Sequence, residues 1–475
     1  MTLARLLMGL LVAGAAACQS AASTASAAGR PGPDTSRPNI VVIVTDDQGY
    51  ADVGFNGGTE IPTPNMDRIA AGGVRFDRGY ASHSVCAPSR AGLMTGRYQS
   101  RFGYDRNPSN DPADPLGGLP TSEATIAEVL KPLGYATMAV GKWHLGTHPS
   151  LRPLKRGFDE FYGFLTGGHR YFPDELVLDD LSDARLHLDW YRTRLRHNGR
   201  AVDTDGYLTD ELTDQAVAFV RRPHDGPFFL YLSYNAPHAP LQATARYLDR
   251  FAHIGNEKRR AYAAMISAVD DGIGRLLDAL DARGIAGNTL VFFLSDNGGT
   301  GFASRNTPLR GRKRTLFEGG VRVPFAMRWP AVVPAGLVYR RPVIALDILA
   351  TIAGRTGAPL SPDRPLDGVD LIPYLTGQAS GAPHDMLFWR HFDAGQAAVL
   401  RGDMKAVWHP KDGAMLFDLA GDVGEARNLA AERAGLVDRL WAEHRAWAAQ
   451  MRDPAYAPLR TWLPLTDQQK RNRPR

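Results

Sequence analysis

Cysteine is almost absent from this chain: Cys18 and Cys86 are the only 2 among 475 residues. Such a chain cannot rest on a disulfide framework and relies on its hydrophobic core. Lysine is scarce as well, with 8 Lys among 55 basic residues. The net charge is only +5. No basic block interleaved with aromatics is present, which argues against a nucleic-acid partner. After the first residues, no apolar run is long enough to span a bilayer. What remains is ordinary for a globular enzyme, with 44% hydrophobic and 22% charged residues. The length predicts one large domain plus a smaller one. The arginine excess suits anionic ligands, because a guanidinium binds sulfate or phosphate bidentately.

The amino-terminal residues read as a targeting segment. Arg5 supplies a short positive region, and Leu6 to Ala17 form an apolar stretch too short for a transmembrane helix. Ala15-Ala16-Ala17-Cys18 resembles a bacterial lipobox, with Ala15 where leucine is usual; lipidation there is the one membrane attachment expected. Ala25-Ser26-Ala27 is the alternative, a signal-peptidase site. Both routes predict an exported protein: periplasmic, an outer-membrane lipoprotein, or secreted. Residues 1–28 are thus a leader, and the Ala/Ser/Gly/Pro-rich 19–38 a tether.

Apolar β-rich runs then end abruptly in polar clusters. Asn39–Val44 leads into Asp46-Asp47, and Ala136–Val140 into Gly141-Lys142-Trp143-His144. Phe228–Ser233 leads into Asn235-Ala236-Pro237-His238, and Leu290–Leu294 into Asp296-Asn297-Gly298-Gly299. Continuous rather than alternating apolar runs fit strands buried on both faces of a parallel sheet. Helical patterns at Thr63–Ala71, Thr125–Leu133, Asp210–Arg221 and Arg259–Ala282 separate them. The expected fold is α/β, a large mostly parallel central sheet flanked by helices over residues 38–378. Ligands of such sheets bind beyond the carboxyl ends of the strands. From about residue 380 to 475 the pattern changes to short strands at Met386–His391, Ala397–Arg401, Met404–His409 and Met415–Leu419. An amphipathic helix at Leu436–Met451 follows, predicting a smaller antiparallel sheet packed by one helix. Arg390 and His391 are read as scaffold residues there.

Asp46, Asp47, Asp296 and Asn297 offer hard oxygen ligands, which suit Ca²⁺, with Mg²⁺ the second choice. Cys86 precedes Pro88 and Arg90 at an expected helix start, where a lone thiol is a candidate nucleophile or its precursor. Each cluster taken singly also reads as turn chemistry, and Cys86 alone as a buried structural cysteine.

Together these segments resemble the type I sulfatase family. Cys86-Ala87-Pro88-Ser89-Arg90, continuing to Leu93, Thr95 and Gly96, is similar to its first signature, and Gly134 through His144 to its second. Leu309 through Gly320 is similar to a late motif, with Arg312 and Arg314 where members often have glycine; Phe417 to Leu429 resembles the segment before the terminal helix. The resemblance implies an alkaline phosphatase-like fold and hydrolysis of sulfate esters by S–O cleavage. It implies that a maturation enzyme oxidises Cys86 to formylglycine, whose gem-diol attacks sulfur and then releases sulfate by collapse to the aldehyde. It further implies a divalent ion, usually calcium, on Asp46, Asp47, Asp296, Asn297 and the residue at Cys86. Arg90 and His144 would steady the diol, Lys142 would bind sulfate, Lys313 would contact the leaving oxygen, and His238 is a candidate general acid. Sulfated carbohydrate is the expected substrate class. Alternatives are a phosphate or phosphonate ester hydrolase of the same superfamily, a non-catalytic sulfated-glycan binder, and a hydrolase using unmodified Cys86.

Overall fold

The structure is a computed structural model that describes residues 35, 37–186 and 188–456. The leader, Cys18 and most of the tether lie outside the described residues. No described helix is long and apolar enough to cross a membrane.

The strands in chain order are β1 (Asn39–Thr45), β2 (Val74–Phe76), β3 (Gly79–Tyr80), β4 (Ala136–Lys142), β5 (Glu160–Phe164), β6 (Leu195–His197), β7 (Arg200–Val202) and β8 (Phe228–Ser233). They continue as β9 (Thr289–Ser295), β10 (Phe325–Arg328), β11 (Leu337–Tyr339), β12 (Val343–Ile344), β13 (Met386–His391), β14 (Gln396–Arg401), β15 (Met404–His409) and β16 (Gly413–Asp418). The main sheet has 10 strands in the order β11-β2-β10-β9-β1-β8-β4-β5-β6-β7. Its centre, β9-β1-β8-β4-β5, is parallel throughout. Antiparallel pairing is confined to the flanks, where β10 joins β9 and β6 joins β5.

Burial on both faces explains the continuous apolar runs. Val41 and Ile43 of β1 face one core, covered by the Pro64–Ala71, Leu208–Arg221 and Glu257–Ala282 helices. Ile40, Val42 and Val44 face the other, covered by the Cys86–Thr95, Ile126–Leu130 and Asp347–Thr356 helices. The helical pattern at Thr125–Leu133 divides into an α-helix, Ile126–Leu130, and a 3₁₀ turn, Lys131–Leu133. Pro132, which has no N–H to continue the ladder, accounts for the change.

The four-stranded antiparallel sheet β13-β14-β15-β16 has a core on each side. Leu387, Trp389, Val407 and Phe417 pack against Tyr80, Leu316 and Val321 of the main body. Val399, Ala406 and Leu416 pack against Val437 and Leu440 of the Ala434–Ala448 helix. The sheet thus rests on the Leu309–Gly320 segment, which carries Lys313.

Candidate active site

Adjacent parallel strands bring the polar clusters together. Val44 of β1 pairs with Ser233 of β8, Thr45 with Ser295 of β9, and Gly141 of β4 with Ser233. Neighbouring strands lie about 4.8 Å apart, so residues just past their ends converge on one pocket. Gly141 makes the β4–β8 approach possible: a Cβ there would sit 1.9 Å from the Ser233 carbonyl oxygen, and its φ is +98°. Lys142 is the next residue.

Cys86 enters from the opposite face, at the first position of the Cys86–Thr95 helix, every residue of which is buried. Pro88 falls within the first turn, where a missing N–H costs no intrahelical bond. The helix ends at Gly96, whose φ of +64° and bond to Gly92 O close it. Arg90, one turn on, donates from Nε to Asp296 Oδ2 at 2.9 Å, and its Nη2 lies 2.8 Å from the same oxygen as an ion pair. Its Nη1 donates to Ser233 Oγ. These bonds join the Cys86 helix to the ends of β9 and β8.

Lys313 Nζ donates to Cys86 Sγ at 3.0 Å and lies 2.6 Å from Asp47 Oδ1. Lys142 Nζ pairs with Asp46 Oδ2. Asn297 Nδ2 donates to Asp47 Oδ1 at 2.7 Å. His238 Nε2 is 3.7 Å from Asp47 Oδ2, and its Nδ1 lies 2.7 Å from Ala239 O. His144 is buried with neither ring nitrogen hydrogen-bonded. All the residues expected in the site, Asp46, Asp47, Cys86, Arg90, Lys142, His144, His238, Asp296, Asn297 and Lys313, therefore belong to this strand-end region.

Three carboxylates, Asp46, Asp47 and Asp296, present oxygens within 4.8 Å of one another, and an Asp46 oxygen, Cys86 Sγ and a His238 ring nitrogen are grouped equally closely. Asp46 Oδ1 and Asn297 Oδ1 are buried without a hydrogen-bond partner, so two oxygens are available to a cation. Asp46, Asp47 and Asp296 face three cations, Arg90, Lys142 and Lys313. Against that balanced set a divalent ion leaves net positive charge to meet an anionic ester. The residues fit a hard divalent cation.

Burial dominates the electrostatics. It would raise the Asp46 carboxyl, but Lys142, His238, Arg90 and Lys313 together pull it well below the carboxylate range. Asp296 is pushed up to about 6, by burial and by Asp46, against Arg90. Burial pushes the Cys86 thiol up to about 11, against Lys142 and Lys313. A thiol held this way is protonated at neutral pH and is a poor nucleophile. Burial, with Lys142 and Arg90, drives His144 well below the usual imidazole range. Burial lowers His238 as well, opposed by Asp46 and Asp47.

Three further contributors were given no role from the sequence. Ser233 orients Arg90 from the end of β8. Asn235, inside a quoted segment but given no role, donates Nδ2 to His169 O at 3.0 Å and leaves a buried Oδ1 unpartnered. Tyr191, in the 3₁₀ turn Asp189–Arg192, places its ring 6.3 Å from that of His238. Of these, only Ser233 was findable, as the last residue of an apolar run.

Comparison with known proteins agrees with this geometry. The family model described as Sulfatase matches residues 38–358. N-acetylgalactosamine-6-sulfatase of Mus musculus is 36% identical over 373 residues, covering 75% of this chain and 69% of the relative. The crystal structure of Ps i-CgsB in complex with k-i-k-neocarrahexaose is 38% identical, with a TM-score of 0.82, covering 88% of this chain and 94% of that one. PsFucS1 sulfatase from Pseudoalteromonas sp. is 26% identical, with a TM-score of 0.75, covering 89% and 92%. A pocket of acids, lysines and histidines around Cys86, on a sheet shared with these enzymes, leads to one assignment: the chain belongs to the sulfatase family of the alkaline phosphatase superfamily.

Proposed function

We propose that this sulfatase removes sulfate from sulfated carbohydrate, algal polysaccharide or glycosaminoglycan fragments, after a formylglycine-generating enzyme has matured Cys86. The observation that carries the reading is the position of Cys86 Sγ, 3.0 Å from Lys313 Nζ, beside Lys142 and Arg90. Formylglycine at this position would supply a hydrated aldehyde as the nucleophile toward sulfur. Calcium, held by Asp46, Asp47, Asp296, Asn297 and residue 86, would polarise a sulfate oxygen.

The side chains support this chemistry. Arg90, fixed by Asp296, keeps positive charge one turn from residue 86. Lys142 and Lys313 offer N–H donors to the ester oxygens as charge builds on them. His144, neutral and with both ring nitrogens unpartnered, can hold a proton at the nucleophile. With His238 Nδ1 donating to Ala239 O, a second proton on Nε2, favoured by Asp46 and Asp47, would make the ring a general acid toward the leaving oxygen. The carbohydrate class is supported by relatives named for N-acetylgalactosamine-6-sulfate hydrolysis and for a neocarrahexaose complex. The leader adds an extracytoplasmic location to the reading.

The test begins with mass spectrometry of the Cys86 peptide from the native host, where a loss matching thiol-to-aldehyde conversion is expected. Turnover of a sulfated-glycan panel and of matched sulfate and phosphate esters follows. A strong phosphate preference, or no turnover of any sulfated glycan by matured protein, overturns the reading.

A further inference from the structure

Arg312 and Arg314 bracket Lys313, and both are exposed. Among the described residues neither guanidinium makes a hydrogen bond or ion pair, although this arginine-rich protein pairs most of its other guanidiniums. The carboxylates nearby are already engaged. Asp47 is taken by Lys313, Asp393 by Arg106 and Glu318 by Lys405. Two unpaired cations next to a catalytic lysine repel it and each other, so the unliganded protein gains nothing from them.

Backbone geometry singles out Arg314. Among the described residues, six non-glycine residues have positive φ, and Asp47 (+66°) and His144 (+55°) are among them, both in the site. Arg314, at +74°, is another. An L-residue in this region is strained and persists where its surroundings enforce it, commonly at functional sites. Here the enforcement is explicit: Arg314 N donates to Ser84 O at 2.9 Å, and Arg314 O accepts from Gln396 Nε2 at 3.4 Å. Gln396 Oε1 in turn accepts from Leu316 N at 3.2 Å. Gln396 pairs with His391 where β13 turns into β14. The hairpin tip of the small sheet therefore clamps the loop that carries Arg314 next to Lys313, whose Nζ reaches Cys86 Sγ.

We propose that Arg312 and Arg314 form a second anion subsite, which takes a sulfate or carboxylate on the sugar next to the one being desulfated. The proposal rests on the sulfated-carbohydrate reading and narrows it to substrates anionic on consecutive sugars. A guanidinium binds either oxyanion bidentately. The charges also draw a polyanion to the mouth within a screening length of about 8–10 Å.

The experiment measures binding and turnover separately. Calorimetry with the Cys86→Ala protein compares a carrageenan tetrasaccharide sulfated on neighbouring sugars, its singly sulfated counterpart, and a sulfated disaccharide with a neighbouring uronate. Matured enzyme then gives kcat/KM on the same three. We expect the neighbouring anion to tighten binding by about fivefold per guanidinium, with the doubly charged substrates favoured in kcat/KM through KM. Arg312→Gln/Arg314→Gln collapses that preference, and Arg314→Lys keeps part of it. Thermal unfolding of each variant verifies the fold, and Arg314→Gly, which relieves the positive φ, provides a second variant without the charge. Sulfate and uronate arms that differ identify which oxyanion the subsite takes. No preference in the parent protein, or a preference unchanged in the double variant, overturns the subsite. A binding preference without turnover of any sulfate ester upholds the subsite and overturns the catalytic reading beneath it.

Discussion

The Arg90 guanidinium meets the Asp296 carboxylate at 2.8 Å, and both side chains are shut off from solvent. This pair locks the helix that begins at Cys86 onto the end of β9, where Asp296 and Asn297 stand. Arg90→Lys keeps the charge but cannot reach Asp296 through two nitrogens and Ser233 through a third. The under-satisfied partners are expected to cost about 1–3 kcal/mol in urea unfolding. Displacement of the Cys86 helix is expected to lower kcat/KM about a hundredfold. Unchanged values in both would show that the pair positions nothing.

The buried, unpartnered Asp46 Oδ1 and Asn297 Oδ1 predict a metal-dependent stability. Calcium at about a hundred times its Kd is expected to add roughly 2.7 kcal/mol to the folded state, read as a rise in Tm. Magnesium, which demands a stricter octahedron, is expected to add less. Asn297→Ala weakens the calcium effect. Equal Tm with calcium and with chelator, in active protein, excludes the site.

A buried ion cluster ties the small sheet to the Leu309–Gly320 segment. Lys405 Nζ lies 2.8 Å from Glu318 Oε1 and 3.2 Å from Glu425 Oε1, all three side chains fully buried. Glu425 Oε2 also accepts from Glu318 N at 2.7 Å. Lys405→Met takes the cation from Glu425 and leaves Glu318 to Arg322 and Tyr80, and is expected to cost about 3–5 kcal/mol, measured by denaturant unfolding. A loss below about 1 kcal/mol would mean that the acids neutralise without the lysine.

His384 Nε2 lies 2.7 Å from Oδ1 of the buried Asp347. Burial would lower the imidazole, but Asp347 outweighs it and holds His384 above its usual 6.5. A folded-state value above the unfolded one gives stability that is complete below about pH 6.5 and fades as pH rises through the folded value. The Tm gap between the parent protein and His384→Gln should therefore be widest in mild acid and narrow toward pH 9. A gap independent of pH would mean that the imidazole acts without its charge.

Much of the site was legible because local chemistry announces it. An apolar run ending in Asp46-Asp47, Lys142 or Asp296-Asn297 is a strand end bearing polar groups, and the short motif around Cys86 is dense enough to read alone. Boundaries were less legible. β4 runs on through Lys142 itself, because its ladder with β5 continues to the Lys142–Phe164 pair. The Glu257–Ala282 helix starts ahead of the expected Arg259, where Asn256 accepts a bond from Arg259 N and caps it. Tyr191 stayed hidden because a single 3₁₀ turn, Asp189–Arg192, is too short to show a period.

The amino-acid sequence by itself determined the alternation of strand and helix, the chemistry available at each strand end, and the segment that starts at Cys86. Periodicity and turn residues are local properties, and one chain displays them fully. Only the tertiary structure decided that Lys313 reaches Cys86 across 227 residues, that Ser233 and Asp296 both hold Arg90, and that Gln396 clamps the Arg314 loop. Those contacts depend on strand order, register and the seating of one sheet on another. Such long-range geometry is set by burial summed over the whole core, and no stretch of sequence carries it alone.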